Sequence, residues 1–231
     1  MTLLERAIEA HGGWDVWHRR SSFEVELEAG GVAWPLRLRR RPGLLRGRVR
    51  TAEPWTTVSG FPRAGLRGVF EPERVRIEDE DGRVVAERRD PRAAFPGIRR
   101  RLRWDDLDFL YFSGYALWNY LAFPFMLARP DFAVEERAGR MLDVRFPAGF
   151  PTHSPRQRFH LDADHRLVRH DYTALVFGRW ARAAHITGDH REFDGLLVPT
   201  RRRVYPRLPG GRVAPGPVIV SLDILSVRAS A

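Results

Sequence analysis

The sequence predicts a mainly β chain with helices: one strongly curved antiparallel sheet with helices packed on its inner face. Three observations predict it. Runs with a period of two recur through most of the chain. Glycine pairs and Asp-Gly steps separate those runs as hairpin turns do. A helical interruption at about 91–129 has strands on both sides, so the same sheet must serve both halves. No linker and no fixed-period repeat divides the chain, and residues 1–231 read as a single domain.

The elements follow in order. Residues 2–19 read as a helix, with Leu4, Ala7, Ile8 and Val16 at helical spacing, interrupted at Gly12-Gly13. Then the period changes. Phe23, Val25, Leu27 and Ala29 alternate with Glu24, Glu26 and Glu28, as in a half-buried antiparallel strand. Gly30-Gly31 turns the chain, and VAWPLRLRRR is expected to return as a strand, with Leu36 and Leu38 opposing Arg37 and Arg39. Short strands are expected near 45–51, 55–60, 66–70 and 74–78, and Asp81-Gly82 turns into RVVAER. After the interruption, strands are expected at 132–137, 141–146, 157–161, 167–177, 183–193, 196–205 and 218–227. Asp162–His165 and Asp194-Gly195 are hairpin turns, and the proline-rich 206–217 stretch is a loop.

The interruption contains Phe109–Ala128, twenty residues without a charge. That is long enough to span a bilayer. Ser113, Asn119, Pro124 and the mid-segment aromatics argue instead for a buried, groove-lining helix pair that Pro124 kinks or ends. Asp105, Asp106 and Asp108 cap its start.

Composition removes several function classes. There is no cysteine, hence no disulfide, no thiolate nucleophile and no zinc–sulfur site. The net charge is +10, and every cationic side chain is arginine. Those arginines are dispersed and lack an aromatic ladder for base stacking, which argues against nucleic acid as a partner. The opening residues lack a basic stretch followed by an apolar run, so no secretory signal is expected. The setting expected from these features is the cytoplasm.

Three stretches resemble LolA/LolB-like domains. They are AIEAHGGWDVWHRRSSFEVELEAG at the start, FHLDADHRLVRHDY, and DHREFDGLLVPTRRRVY, which turns at Asp-Gly and resumes as apolar–Pro–Thr. In order, they span most of the chain. The resemblance implies an incomplete β-barrel, or half-barrel, closed by helices around an apolar cavity. Well-known members carry lipoprotein acyl chains across a periplasm. With no signal and no lipid-anchor cysteine, this chain looks like an uncharacterised cytoplasmic branch.

Candidate site residues come from two places. The aromatic helix supplies a ligand wall in Tyr111, Tyr115, Trp118, Phe123 and Phe125; the alternative is plain core packing. The late strands supply polar groups. His170 and Tyr172 share a face, and His185 and His190 fall on opposite faces unless Gly188 introduces a bulge. His170 and His185 meet side by side if their strands pair around a short loop. Histidine suits proton transfer, and arginine binds a carboxylate or an enolate-like oxygen. His170, Tyr172, His185 and Arg201 are therefore the catalytic candidates, with His190 a further ligand contact. The alternative is cross-strand polar pairs on a solvated face. His160, Asp162, Asp164 and His165 offer metal-type atoms but belong to a turn, and no His-Glu-x-x-His helix occurs, so neither metal nor cofactor is expected.

The leading expectation is binding of an apolar or amphipathic small molecule, of acyl, isoprenoid or polyketide-like type. The second is a cofactor-independent acid–base enzyme, a cyclase or isomerase, acting on such a ligand. A third is contact with a membrane surface through arginines beside the aromatic helix.

Overall fold

The computed structural model describes residues 1–38, 42–96 and 103–230. Helix α1 (Leu3–Ala10) starts on a capping box. Glu5 N donates to Thr2 Oγ1 at 3.1 Å, and Thr2 N donates to Glu5 Oε2 at 2.8 Å. It ends at Gly12, whose φ of 117° is a glycine conformation. Space demands glycine there as well: a Cβ would lie 2.4 Å from the Gly195 carbonyl oxygen. The corner between α1 and α2 (Gly13–His18) is thereby seated on the late hairpin, where Leu197 N donates to His11 O.

Thirteen strands form one antiparallel sheet that does not close into a barrel. β1 (Ser22–Gly30), β2 (Gly43–Arg50), β3 (Thr56–Ser59), β4 (Leu66–Glu71), β5 (Arg74–Asp79) and β6 (Val84–Arg89) form one meander. β7 (Ala133–Arg137), β8 (Met141–Arg145), β9 (Arg156–Leu161), β10 (Leu167–Thr173), β11 (Arg182–Phe193), β12 (Leu196–Pro206) and β13 (Val220–Ser230) form another. The two join in the middle, where β1 pairs with β13 in the register Phe23↔Ala229. The outer edges are β6 and β7, which are successive strands in the chain. The alternation in β1 is as expected: Phe23, Val25, Leu27 and Ala29 are buried, and Glu24 and Glu26 pair across the outer face with Arg48 and Arg46.

The strand expected at 167–177 ends at Thr173, and Ala174–Phe177 form a turn in which Phe177 N donates to Ala174 O. One element differs in kind. VAWPLRLRRR was expected to return as a strand; Ala33–Arg37 is instead a short helix, α3, and 39–41 lie outside the described residues. Pro35 has no N–H for a ladder but is tolerated in a first helical turn. Trp34 fixes the turn by donating its indole N–H to Gly30 O at 2.7 Å, and its ring packs edge-on against Phe109 and Phe112.

The segment between β6 and β7 carries a 3-10 turn (Pro91–Ala94), helix α4 (Asp106–Ala122) and a second 3-10 turn (Phe125–Ala128). Asp105 caps α4: its Oδ1 accepts from Asp108 N at 2.9 Å, and Asp108 Oδ2 accepts from Asp105 N at 3.1 Å. Arg88 on β6 binds both carboxylates, at 2.8 and 2.7 Å. The helix stops before Phe123-Pro124, because proline cannot continue the ladder. α4 is apolar on every side and buried on every side. It sits close to the sheet because Gly114 faces Phe70, where a Cβ would come within 2.4 Å of the ring's own Cβ. Among the described residues, no helix is long and apolar enough to cross a membrane.

Candidate functional site

Most of the space between α4 and the sheet is filled by aromatic side chains. Two openings border α4 on its sheet side. A cleft of about 620 Å³ opens at the N-terminal end of α4, walled by Leu38, Leu44, Leu45, Phe61, Trp104 and Phe109. Leu45 and Phe109 also wall a narrow apolar crevice of about 40 Å³ that runs between α4 and the strands β1, β2, β3 and β13. From the helix its wall is Phe109, Phe112, Ser113, Ala116, Leu117 and Tyr120. These positions recur at three and four residues, so they form one stripe along α4, about 16 Å long at 1.5 Å per residue.

At the inner end of that stripe the chain buries a polar cluster. β10 supplies His170 and Tyr172, β11 His185, β12 Arg202, α4 Tyr115 and Tyr120, and the loop before β9 His153. Each is buried. Antiparallel pairing places His170 opposite His185, with ring centroids 6.1 Å apart. The Tyr115 hydroxyl meets His153 Nδ1 at 3.1 Å, and the Tyr120 hydroxyl meets Nε2 at 3.3 Å. A neutral imidazole has one donor and one acceptor, so one phenol donates and the other accepts. The Tyr172 ring stacks on His153 with centroids 3.9 Å apart. Gln157 commits its amide nitrogen to Thr152 Oγ1 and Ser154 O, leaving Oε1 to accept from His170 Nε2 at 2.5 Å. That fixes the His170 proton on Nε2. Among the described residues, neither nitrogen of His185 has a partner.

Burial sets the protonation states. It pushes His153 down to about 3 and holds His170 and His185 well below the usual imidazole range. It raises Tyr120 to about 12, and Tyr115 and Tyr172 well above the phenol value. Arg202 is 1 % exposed, and burial lowers it only to about 10, so it stays cationic. Its guanidinium lies 4.6 Å above the Tyr120 ring and reaches Tyr120 O at 3.3 Å, while Nε has no partner. Among the described residues, no carboxylate forms an ion pair with it.

Of the residues singled out from sequence, His170, Tyr172, His185 and Tyr115 belong to this cluster. Arg201 does not: it is exposed on the other face, its Nε 2.7 Å from Asp189 Oδ2. Its neighbour Arg202 takes the inward position. Parity carries that signal, since Arg202 alternates with Val198, Thr200 and Val204, all buried. Tyr111 packs against Phe70 and Phe95 beside Arg92. Phe123 stacks on Phe159 at 4.8 Å. Trp118 and Phe125 wall a separate cleft of about 380 Å³ beside α2. His190 turns to Leu167 O at 3.0 Å, and the left-handed Asp189 (φ 52°) separates it from His185 without shifting the β11–β12 register. His153 was not anticipated: it lies on a loop, where no alternation marks it as inward. Among the described residues, no three His, Asp or Glu side chains are grouped to hold a metal ion.

The chain matches no protein-family model and no curated protein. In structure it is similar to a LolA superfamily protein from Nitrosomonas europaea, with 12% identity and a TM-score of 0.53 over 100% of this chain and 95% of that one. It is also similar to a DUF1329 family protein from Desulfovibrio piger, with 12% identity and a TM-score of 0.51 over 99% and 92% of the two chains. The fold is LolA-like.

Proposed function

We propose that this chain binds an apolar or amphipathic small molecule between α4 and the sheet. The observation that carries this reading is the cleft of about 620 Å³, walled by Leu38, Leu44, Phe61 and Trp104 with Arg63, Arg103, Asp105 and Asp106 at its rim, which shares Leu45 and Phe109 with the crevice under α4. Concave, mostly apolar sites with a few inner polar groups are what small-molecule binding requires. The crevice at rest admits little more than water, so an occupant lodges in the cleft and advances only as α4 lifts from the strands. Native mass spectrometry of protein purified without detergent, followed by organic extraction, tests this: a bound amphiphile of defined mass is expected. Protein that comes away empty, and that then fails to take up a lipophilic fluorophore, overturns it. A cytoplasmic setting belongs to the same proposal and is checked by fractionating cells that express the chain.

The second reading, acid–base catalysis, is favoured by one observation: histidines, tyrosines and an arginine converge from three adjacent strands and α4. Their protonation argues for binding instead. A general acid or base works best with its pKa near the working pH. Here burial drives the imidazoles far below it and the phenols far above it.

A further inference from the structure

Arg202 is a buried cation that has no carboxylate partner among the described residues. Buried charges are ordinarily paired, and an isolated one is tolerated where a ligand completes it. Its place relative to the crevice is set by strand register. Arg202 lies opposite Leu222 on β13, and Leu222 walls the crevice. Tyr120 walls the crevice too, and its ring underlies the guanidinium. The apolar path therefore ends one side chain from the charge. The Tyr120 ring also meets His185, with ring centroids 5.0 Å apart at 75°. Among the described residues, neither His185 nitrogen nor the Arg202 Nε, all buried, has a hydrogen-bond partner. A neutral His185 has one N–H to give, and the guanidinium has several.

We propose that the ligand carries one carboxylate, and that Arg202 is its anchor at the blind end of the crevice, with His185 as the second donor. This rests on the binding reading above and gives it a chemical class: an amphiphilic monocarboxylic acid, tail toward the cleft and head inward. The charge count selects it. One guanidinium among neutral histidines and tyrosines supplies a single positive charge, which matches a carboxylate and leaves a phosphate dianion under-compensated. The length of the α4 stripe, about 16 Å, suits an extended acyl chain of medium length. Seating the head group requires the Tyr120 ring to move off the guanidinium.

The experiment compares dodecanoic acid, dodecan-1-ol and methyl dodecanoate at pH 8, by calorimetry or by displacement of a fluorescent probe. It uses solvent-stripped wild type, Arg202→Met and Arg202→Lys. Wild type is expected to bind the acid at least about tenfold tighter than the alcohol or the ester, since a site built for a charge-assisted pair loses most of it to an uncharged analogue. Arg202→Met is expected to bring the three ligands within about threefold, with the alcohol bound as well as before. Arg202→Lys keeps an intermediate preference, and it carries the comparison if the methionine variant does not fold. Equal affinity of wild type for acid and alcohol overturns the carboxylate assignment while leaving the binding reading standing; so does an acid preference that survives Arg202→Met. Wild type that binds none of the three overturns both.

Discussion

Lowering the pH should unfold this protein early, and the interior sets how early. His11, His153, His170 and His185 are all buried and held neutral. In the unfolded chain each takes a proton near 6.5, whereas in the folded chain His153 waits until about 3 and His11 until about 4. Below 6.5 the unfolded state therefore binds more protons, so the stability is whole above that value and drains as pH falls toward the folded values. Each such histidine removes about 1.4 kcal/mol per pH unit, hence about 2 kcal/mol by pH 5. His11 and His153 together remove about 4 kcal/mol, and His170 and His185 act in the same direction, against a total of roughly 5–15 kcal/mol for an ordinary domain. The carboxylates paired at the surface contribute only nearer their own range, around pH 4 and below. Urea denaturation at pH 8, 7, 6 and 5 is the assay. A midpoint unchanged from pH 8 to 7 and falling steeply from 6.5 to 5 is expected. A midpoint that stays level down to pH 5 would refute the neutral, buried assignment of these rings.

Three further outcomes follow. Arg202→Met should raise the stability of the empty protein by about 2 kcal/mol: burial pushes the guanidinium down to about 10, at a cost of about 3 kcal/mol, and the lost contacts to Tyr120 return part of it. Differential scanning fluorimetry should show this as a rise of roughly 4–8 °C, and a lower Tm would mean that Arg202 is a strut rather than an anchor. Gly114→Ala should destabilise by about 1–2 kcal/mol in urea, because a Cβ 2.4 Å from the Phe70 Cβ costs more than the ~1 kcal/mol that alanine adds to a helix. Stabilisation would show that α4 has slack against β4. Asp105→Ala removes the cap of α4 and one of two carboxylates on Arg88, and a loss of about 1–2 kcal/mol in the same assay is expected.

Much of the fold was legible because alternation and turn chemistry are local signals. The β11 and β12 ranges, the left-handed Asp194-Gly195 turn and the α4 cap all follow from residues a few positions apart, whereas β10 ends at Thr173, short of the expected 177. VAWPLRLRRR misled because its apolar residues alternate, while the deciding contacts, Val32 N to Val218 O and Ala33 N to Ile219 O, come from the far end of the chain. Within the site, the meeting of His170 and His185 was legible once their strands were adjacent. The place of Arg202 was encoded in the same parity, which singles it out from Arg201 and Arg203. His153 and the sharing of its two nitrogens between Tyr115 and Tyr120 have no local signature, for they depend on where α4 crosses the sheet.

The joining of the first strand to the last has a consequence for synthesis. While the ribosome is still making the second meander, β1 has only β2 for a neighbour, and its other margin stands bare with Phe23, Val25 and Leu27 on the face beside it. The strand that covers it, β13, is translated some two hundred residues later. For most of its birth the nascent chain thus presents an apolar, unpaired seam in mid-sheet, the kind of surface that chaperones hold and that mispairs with sister chains.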